Sequence, residues 1–485
     1  MPDAPNVLFV MTDQHRGDTL GADPHCPRDQ DDRRLIHTPN LDNLVEDGAL
    51  FSSAYTPAPT CVPARRCLWT GREPANCDGT YYHGREWDFD HSLPRTLRDA
   101  GYQTLLSGKT HSRPARNHFG FEDMEIHAAL GSPRPGGRGF TDDYIEWLER
   151  RTDGEYDENA HGIDRNSWDP RPWHGEECEH PTNWTTTRAI EHLEKRDPTR
   201  PFFLTVSYVR PHQPFDPPQP YWDMYIDREL PDPVVGDWVD QRYGHLIPDH
   251  PNPDAWVADL PPTIIHRARA AYYGCVTHID QQLNRIFTAL RNMGEFDNTL
   301  IVFTADHGEM LGDHHHWRKT YPWEASARIP MLLRLPASLR DGVETNQTVD
   351  RPVGLEDVMP TILDAVNVDI PDDVDGQSLL ELVSDPERED WRRFYHGEHG
   401  PTYHEKTACQ YLVDDMKYVW NPMTDEEYLF DLTADPDEET NLVEDAAYAG
   451  DLQERREALV DRLADRPEGF SDGDTLSTVS AEAWS

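Results

Sequence analysis

The stretch from Pro5 to Gln14, PNVLFVMTDQ, holds a nearly unbroken apolar run that ends on three polar residues. A run this short and this apolar is the pattern of a strand covered on both faces, as in a parallel sheet. The same pattern recurs at 299–304, where TLIVFT runs into Ala305-Asp306-His307-Gly308-Glu309. PFFLTVSYV (201–209), PMLLRL (330–335) and, more weakly, YQTLLS (102–107) read as further buried strands. Helical patterns lie between them. TPNLDNLVEDG (38–48) and SLPRTLRDAG (92–101) each carry a hydroxyl cap, a proline in the first turn and a terminal glycine. A long amphipathic pattern runs from about Pro262 to Met293. Strands alternating with helices predict an α/β fold, a mostly parallel central sheet flanked by helices.

After residue 385 the texture changes. TACQYLVDDMKYVWNP and EEYLFDLTADP alternate like a small antiparallel sheet, then a charged helix (about 449–464) precedes an acidic tail without apolar pattern. The expected division is a catalytic α/β domain over 1–385 and a small C-terminal α+β subdomain, with an antiparallel sheet, over 386–485. Polar segments at about 131–182 and 211–260, rich in Pro, Asp and Trp, are expected to be insertions that shape a pocket.

The chain carries 90 Asp and Glu against 45 Lys and Arg, a formal net charge of −45, and only five lysines. Such acidity normally signals disorder, but 14 Trp, 19 Tyr and 15 Phe argue for a folded protein. This combination fits the cytosol of a salt-accumulating halophile, such as a halophilic archaeon, where the screening length falls to ~3 Å. Nucleic acid is excluded as a partner by the charge. The seven cysteines form no regular framework and read as reduced. The start, MPDAPNVLFVMTDQ, lacks the pattern of a signal peptide, and no run reaches the ~20 apolar residues of a membrane span. The expected location is the cytoplasm, with no membrane partner.

Ligands of open α/β sheets bind outside the carboxyl ends of the strands. Asp13 and Gln14 follow one buried strand, and Asp306 and His307 follow another. Three oxygen ligands and one imidazole suit Ca²⁺, Mg²⁺ or Mn²⁺ better than a thiolate-selected metal. Acidic residues at strand ends also serve as loop caps; it is the paired occurrence that favours a metal. Cys61 stands where a helix begins, with Arg65 one turn on, and both the dipole and the cation favour an anion there. A buried packing role is the plain reading of an isolated cysteine. Cys67 matches no common zinc spacing from Cys61 and reads as packing.

The full string, Cys61-x-Pro63-x-Arg65 followed by Leu68-x-Thr70-Gly71-Arg72, resembles the active-site signature of the type I sulfatases of the alkaline-phosphatase-like superfamily. GKTH (108–111), RPHQPFDPP (210–218), YYGCVTHIDQQLNRI (272–286), TADHGEMLGDHHHWRK (304–319) and EYLFDLTADPDEETNLV (427–443) resemble further family elements in the family's order. The resemblance implies that a separate maturation enzyme converts Cys61 to Cα-formylglycine. It implies one divalent cation, Ca²⁺ by family default with Mn²⁺ or Mg²⁺ as substitutes, held by Asp13, Gln14, Asp306 and His307. A hydroxyl of the hydrated aldehyde would attack sulfur and release the alcohol, and the second hydroxyl would then lose its proton and expel sulfate. Arg65, Lys109 and Lys319 would hold the charged oxygens, His111 would bond a formylglycine hydroxyl, and His212 would protonate the leaving group, with Lys319 as a second donor. The implied substrate is a small-molecule or saccharide sulfate ester. The triple His314-His315-His316 is expected to line the pocket or the surface.

The chain departs from the family pattern at Gln14, where many members have Asp, and at His307, where many have Asn. That combination resembles phosphonate monoester hydrolases and related broad-specificity members, which makes a phosphonate or phosphodiester hydrolase the alternative reading. Keeping both Lys109 and His111 favours the sulfate ester. Thr110 replaces a frequent aromatic in GKTH, which opens the pocket. A third reading is a non-catalytic metal-binding homologue with unmodified Cys61.

Overall fold

The computed structural model describes residues 4–82, 85–127 and 142–484. β1 (Asn6–Asp13) lies inside an eight-stranded sheet with β2 (Gly48–Phe51), β3 (Gln103–Gly108), β4 (Asp123–Ile126), β5 (Phe202–Pro211), β6 (Thr299–Ala305), β7 (Met331–Arg334) and β8 (Gln347–Val349). The spatial order is β4-β3-β5-β1-β6-β7-β2-β8. β5 and β6 flank β1 in parallel, with Leu8 opposite Leu204 on one side and Ile301 on the other. β7 is the exception and runs antiparallel to both β6 and β2. An apolar run reports burial on two faces, not direction, so PMLLRL reads the same either way.

Alternation along β1 separates two cores. Val7, Phe9 and Met11 join Ala64, Leu68 and Trp69 of α1 (Cys61–Thr70) on one face. Leu8 and Val10 join Ala189 and Leu193 of α2 (Pro181–Lys195) and Ile279, Leu283 and Ile286 of α3 (Pro262–Met293) on the other. The period-two burial of a strand thus places α1 on one side of the sheet and α2 and α3 on the other. Residues 38–48 form less helix than their caps suggest: one turn at Pro39–Asp42, then a 3-10 turn at Val45–Asp47. The cap comes from α3, where Asp280 accepts the N–H groups of Asn40 (3.0 Å) and Leu41 (2.8 Å). SLPRTLRDAG behaves as expected, a helix over Leu93–Asp99 capped by Ser92.

A four-stranded antiparallel sheet follows, β9 (Tyr395–His399), β10 (Cys409–Val413), β11 (Met416–Trp420) and β12 (Glu427–Asp431), with α4 (Ala449–Leu463) after it. The tail carries no apolar pattern in sequence and still packs against the smaller sheet. Phe470 and Trp484 are buried with ring centroids 5.0 Å apart, and Phe470 packs on Trp420. Two aromatics fourteen residues apart carry no periodicity, which is why the segment reads as tail. Part of the first expected insertion, residues 131–141, lies outside the described residues. Among the described residues no helix is long and apolar enough to cross a membrane.

Lys417 of β11 ties the smaller sheet to the segment between β6 and β7. Its fully buried ammonium meets Glu324 (2.5 Å), Glu438 (2.9 Å) and the carbonyl of Pro322 (2.8 Å). Burial opposes the charge, but Glu324 and Glu438 outweigh it and hold the amine above its ordinary value. Removing one partner of a buried pair leaves the other charge uncompensated. Lys417→Ala is therefore expected to lower unfolding stability by about 3–5 kcal/mol in denaturant titrations.

Candidate active site

β1 and β6 are neighbours and parallel, so the residues just past them share one floor. One ligand atom each from Asp13, Cys61, Asp306 and His307, all buried, lie within 4.8 Å of one another. Asp306 is fixed by three donors: Gln14 N (3.1 Å) and His307 N (3.0 Å) on one oxygen, Arg65 Nε (2.8 Å) on the other. His307 Nδ1 donates to the carbonyl of Gly308 (2.9 Å). That leaves Nε2 facing Asp13 Oδ1 (3.7 Å) and Asp306 Oδ1 (3.5 Å); burial opposes a charge on the ring, but Asp306 and Cys61 outweigh it and hold the ring above its ordinary value. A ring nitrogen oriented by a bond at its other nitrogen, beside two carboxylates, is the donor set of a divalent-cation site. The residues fit such an ion.

Cys61 begins α1, whose preceding residue Thr60 provides no side-chain cap. Its Sγ lies 3.2 Å from His307 Nε2, 3.2 Å from Lys319 Nζ and 3.6 Å from Asp13 Oδ1. Burial and Asp13 push the thiol up, but Lys109, Lys319 and His307 pull harder, and the net displacement is downward. Lys109 bonds Asp13 directly. Burial works against the Asp13 charge as well, yet Lys109 above all keeps it well below the usual carboxylate range. Lys319 bridges Cys61 and Gln14 Oε1 (2.7 Å). Burial lowers its amine, and Cys61 and Asp13 more than offset that, so Lys319 stays protonated.

The structure brings the ten expected residues into one region, with distinctions the sequence does not carry. Arg65 is fully buried and spans Asp306, the Lys109 carbonyl (3.0 Å) and Ser207 Oγ (3.0 Å). It does not line the cavity over Cys61. Gln14 sits at φ +66 and His111 at φ +59, both in the left-handed region, which costs of order 1–3 kcal/mol each. The Gln14 conformation is held by Lys319, Gln213 (2.7 Å) and Glu309. His111 Nδ1 is buried without a hydrogen-bond partner among the described residues. His212 Nδ1 donates to the carbonyl of Gln213 (2.8 Å), leaving Nε2 as the free nitrogen. Burial, then Lys319, hold this ring well below the ordinary histidine value. A neutral His212 presents an acceptor at Nε2, and Lys319 presents an ammonium.

Glu309 and Gln213 were not expected to matter. Glu309 accepts from Gln14 and Gln213 (2.9 Å) on one oxygen and from the N–H groups of Leu311 (3.0 Å) and Arg318 (2.6 Å) on the other. Its only sequence signal is its place in ADHGE. The histidine triple meets its expectation only in part: His315 is partly exposed, whereas His316 is packed between Tyr243 and Tyr321 and His314, also buried, accepts the N–H of Gly236 (3.1 Å). None of the three lines the cavity over Cys61. Cys67 lies with its Sγ 3.5 Å from that of Cys77, both thiols free.

The cavity over Cys61 measures about 350 Å³. Both inserted segments reach it, Arg165 and Asn166 from one and His212 and Pro214 from the other, and Tyr403 comes from the C-terminal part.

The chain matches the sulfatase family model over residues 5–368, and the model described as N-sulphoglucosamine sulphohydrolase, C-terminal, over residues 312–465. It is 37% identical over 484 residues to an arylsulfatase of Clostridium perfringens, covering 97% of each chain. It is 31% identical to the multifunctional alkaline phosphatase superfamily protein PehA of Trinickia caryophylli, covering 92% of each. Among solved structures, the phosphonate monoester hydrolase of Agrobacterium radiobacter is similar with a TM-score of 0.76 and 27% identity, covering 95% of each chain.

Proposed function

The chain belongs to the sulfatase family, and we propose that it hydrolyses a small-molecule or saccharide sulfate ester to the alcohol and inorganic sulfate at Cys61 matured to Cα-formylglycine, with one divalent cation, Ca²⁺ first. The observation that carries this reading is the position of Cys61 Sγ, at a helix start, against both a cation-type ligand set and the Lys319 ammonium. Cys61 is 2% exposed, so the maturation enzyme must act on the Cys61-x-Pro63-x-Arg65 segment before folding closes over it.

When present, the ion supplies a Lewis acid to a sulfate oxygen and the hydrated aldehyde supplies a nucleophilic hydroxyl. Asp13, Gln14, Asp306 and His307 are the residues proposed to hold the ion. Lys109 and Lys319 line the cavity at Cys61 and neutralise the oxygens of the transferring group. Arg65 orients Asp306 and adds positive field from beneath the floor. Lys319 donates the proton to the departing alcohol, and His212 Nε2 accepts from a hydroxyl at the site. His111, with its unpartnered Nδ1, bonds the modified Cys61. Residues 1–385 form the catalytic domain in this reading, and 386–485 form a subdomain that lends Tyr403 to the pocket. The location in this reading is a high-salt cytoplasm, in line with the net charge of −45 and the free cysteines.

A second reading, phosphonate monoester hydrolysis on the same site, is favoured by the Gln14 and His307 pair and by the structural similarity above. Matching 4-nitrophenyl sulfate against a 4-nitrophenyl phosphonate monoester in molar KCl with Ca²⁺ or Mn²⁺ ranks the two. The sulfate is expected to have the higher kcat/KM; release of nitrophenol from the phosphonate alone would reverse the assignment.

A further inference from the structure

The wall of the Cys61 cavity inverts the charge balance of the chain. Acidic residues outnumber basic ones 90 to 45 overall, yet among the described residues the cavity is lined by six Lys and Arg side chains and one carboxylate, Glu158. Three of the six have a carboxylate partner, and a fourth, Lys319, is bonded to Gln14 and Cys61 at the floor. Lys109 meets Asp13, Lys319 meets the Cys61 sulfur, Arg210 meets the buried Asp216 (2.5 Å), and Arg165 lies 4.0 Å from Glu158. Arg113 and Arg318 differ from these four: among the described residues neither forms an ion pair with a carboxylate or bonds the floor, and the Arg318 guanidinium donates only to the carbonyl of Asp254.

Both stand one step outside the sulfate cradle, and each is accompanied by a tyrosine. Arg318 precedes Lys319, its guanidinium lies 4.7 Å over the ring of Tyr403, and its Nε is buried without a hydrogen-bond partner. Arg113 follows His111 by two residues, and the ring of Tyr82 lies 6.3 Å from that of His111. Tyr82 and Tyr403 line the same cavity. Arg318, braced on an aromatic face with no carboxylate partner among the described residues, is preorganised for a planar or tetrahedral anion, and Arg113 adds a second guanidinium to the same wall. The Lys109 and Lys319 pair serves the scissile sulfate and leaves these two in surplus. At about 350 Å³ the cavity is of single-ring size.

We infer that the alcohol part of the substrate is a single ring bearing a second anionic group, a carboxylate or a second sulfate, bound by Arg113 and Arg318. This rests on the sulfate-ester reading and narrows it, setting aside cationic alcohols such as choline.

The test compares kcat/KM for 4-nitrophenyl sulfate, its 2-carboxylate and 2-sulfonate derivatives, and choline sulfate. Wild-type protein is measured beside Arg113→Met and Arg318→Met, all in molar KCl with the divalent ion supplied. Taking the ratio of anionic to neutral substrate within each protein, then comparing variants, cancels the intrinsic reactivity of each leaving group. Each substitution is expected to lower that ratio by about tenfold or more, chiefly through KM, as loss of a charge-assisted contact requires. The derivative whose ratio falls further identifies the anion as carboxylate or sulfate-like. Equal losses on neutral and anionic substrates, or choline sulfate as the best substrate, would overturn the inference while leaving sulfate-ester hydrolysis standing. Failure of mature wild-type protein to hydrolyse any of the four would overturn the sulfate-ester reading itself, and this inference with it.

Discussion

Cys61→Ala protein is expected to lose at least about 10⁴-fold in kcat on an aryl sulfate while staying folded, because removing a covalent nucleophile removes the reaction path rather than one contact on it. The stability cost should be small, within about 1 kcal/mol, since the substitution removes one buried sulfur and leaves α1 with its helical register and its Gly71 cap at φ +67 intact. Lys319 loses one partner at 3.2 Å but keeps Gln14 at 2.7 Å. The pair of measurements is kcat and the thermal midpoint. Retention of more than a few per cent of activity would place the chemistry on another group; an unfolded variant would instead assign Cys61 to packing, the plain reading of a buried cysteine.

The second large effect concerns Asp306. Its two oxygens face different donors, the N–H groups of Gln14 and His307 on one and Arg65 Nε on the other. Asparagine has one oxygen, so in Asp306→Asn its NH₂ must point either at two backbone donors or at the guanidinium. The fully buried Arg65 then loses its 2.8 Å carboxylate and, besides the Lys109 carbonyl and Ser207 Oγ, keeps Asp13 at 3.6 Å as its remaining carboxylate among the described residues. The expected loss is about 3 kcal/mol of stability. Activity should fall by more than about 100-fold, the upper range for disturbing a group one shell further out. The discriminating readout is linkage to the ion. Saturating wild-type protein with Ca²⁺ or Mn²⁺ should raise its stability by RT ln(1 + [L]/Kd), about 2.7 kcal/mol at a hundred times Kd. In Asp306→Asn most of that gain should vanish. A variant whose melting point still rises with the ion as in wild type would remove Asp306 from the ligand set.

How much of this was legible in the sequence depended on the length scale of each signal. β1 and β6 are written as apolar runs because each is buried on both faces, and the residues that matter follow directly at their ends. Asp13, Gln14, Asp306 and His307 were therefore readable, as was the 32-residue α3 with its long amphipathic period. The direction of β7 was not, since burial pattern carries no polarity. β9, YHGEH, was missed because its strand has a single large apolar residue and takes its place from pairing with β10. The turn at 39–42 takes its cap from Asp280 of α3, a partner distant in sequence, and not from Thr38. Within the site, Lys109, Lys319 and the histidines stood out by rarity or by resemblance. The second layer did not: Glu309 and Gln213 act through bonds to Gln14 across hundreds of residues, and Tyr403 reaches the pocket from the far C-terminal part. No local pattern encodes contacts of that kind.

Everything proposed for the reaction rests on the state of Cys61. Intact-peptide mass spectrometry across the segment containing Thr60 to Arg65, on protein purified from its native host, reads that state directly. The account predicts a peptide in which one sulfur and two hydrogens have been replaced by one oxygen, together with its hydrate, and trapping of that aldehyde by a hydrazine. A peptide carrying only an unmodified thiol, in material that still hydrolyses sulfate esters, would contradict the formylglycine mechanism; the same thiol in inactive material would mark the chain as a metal-binding homologue without the reaction.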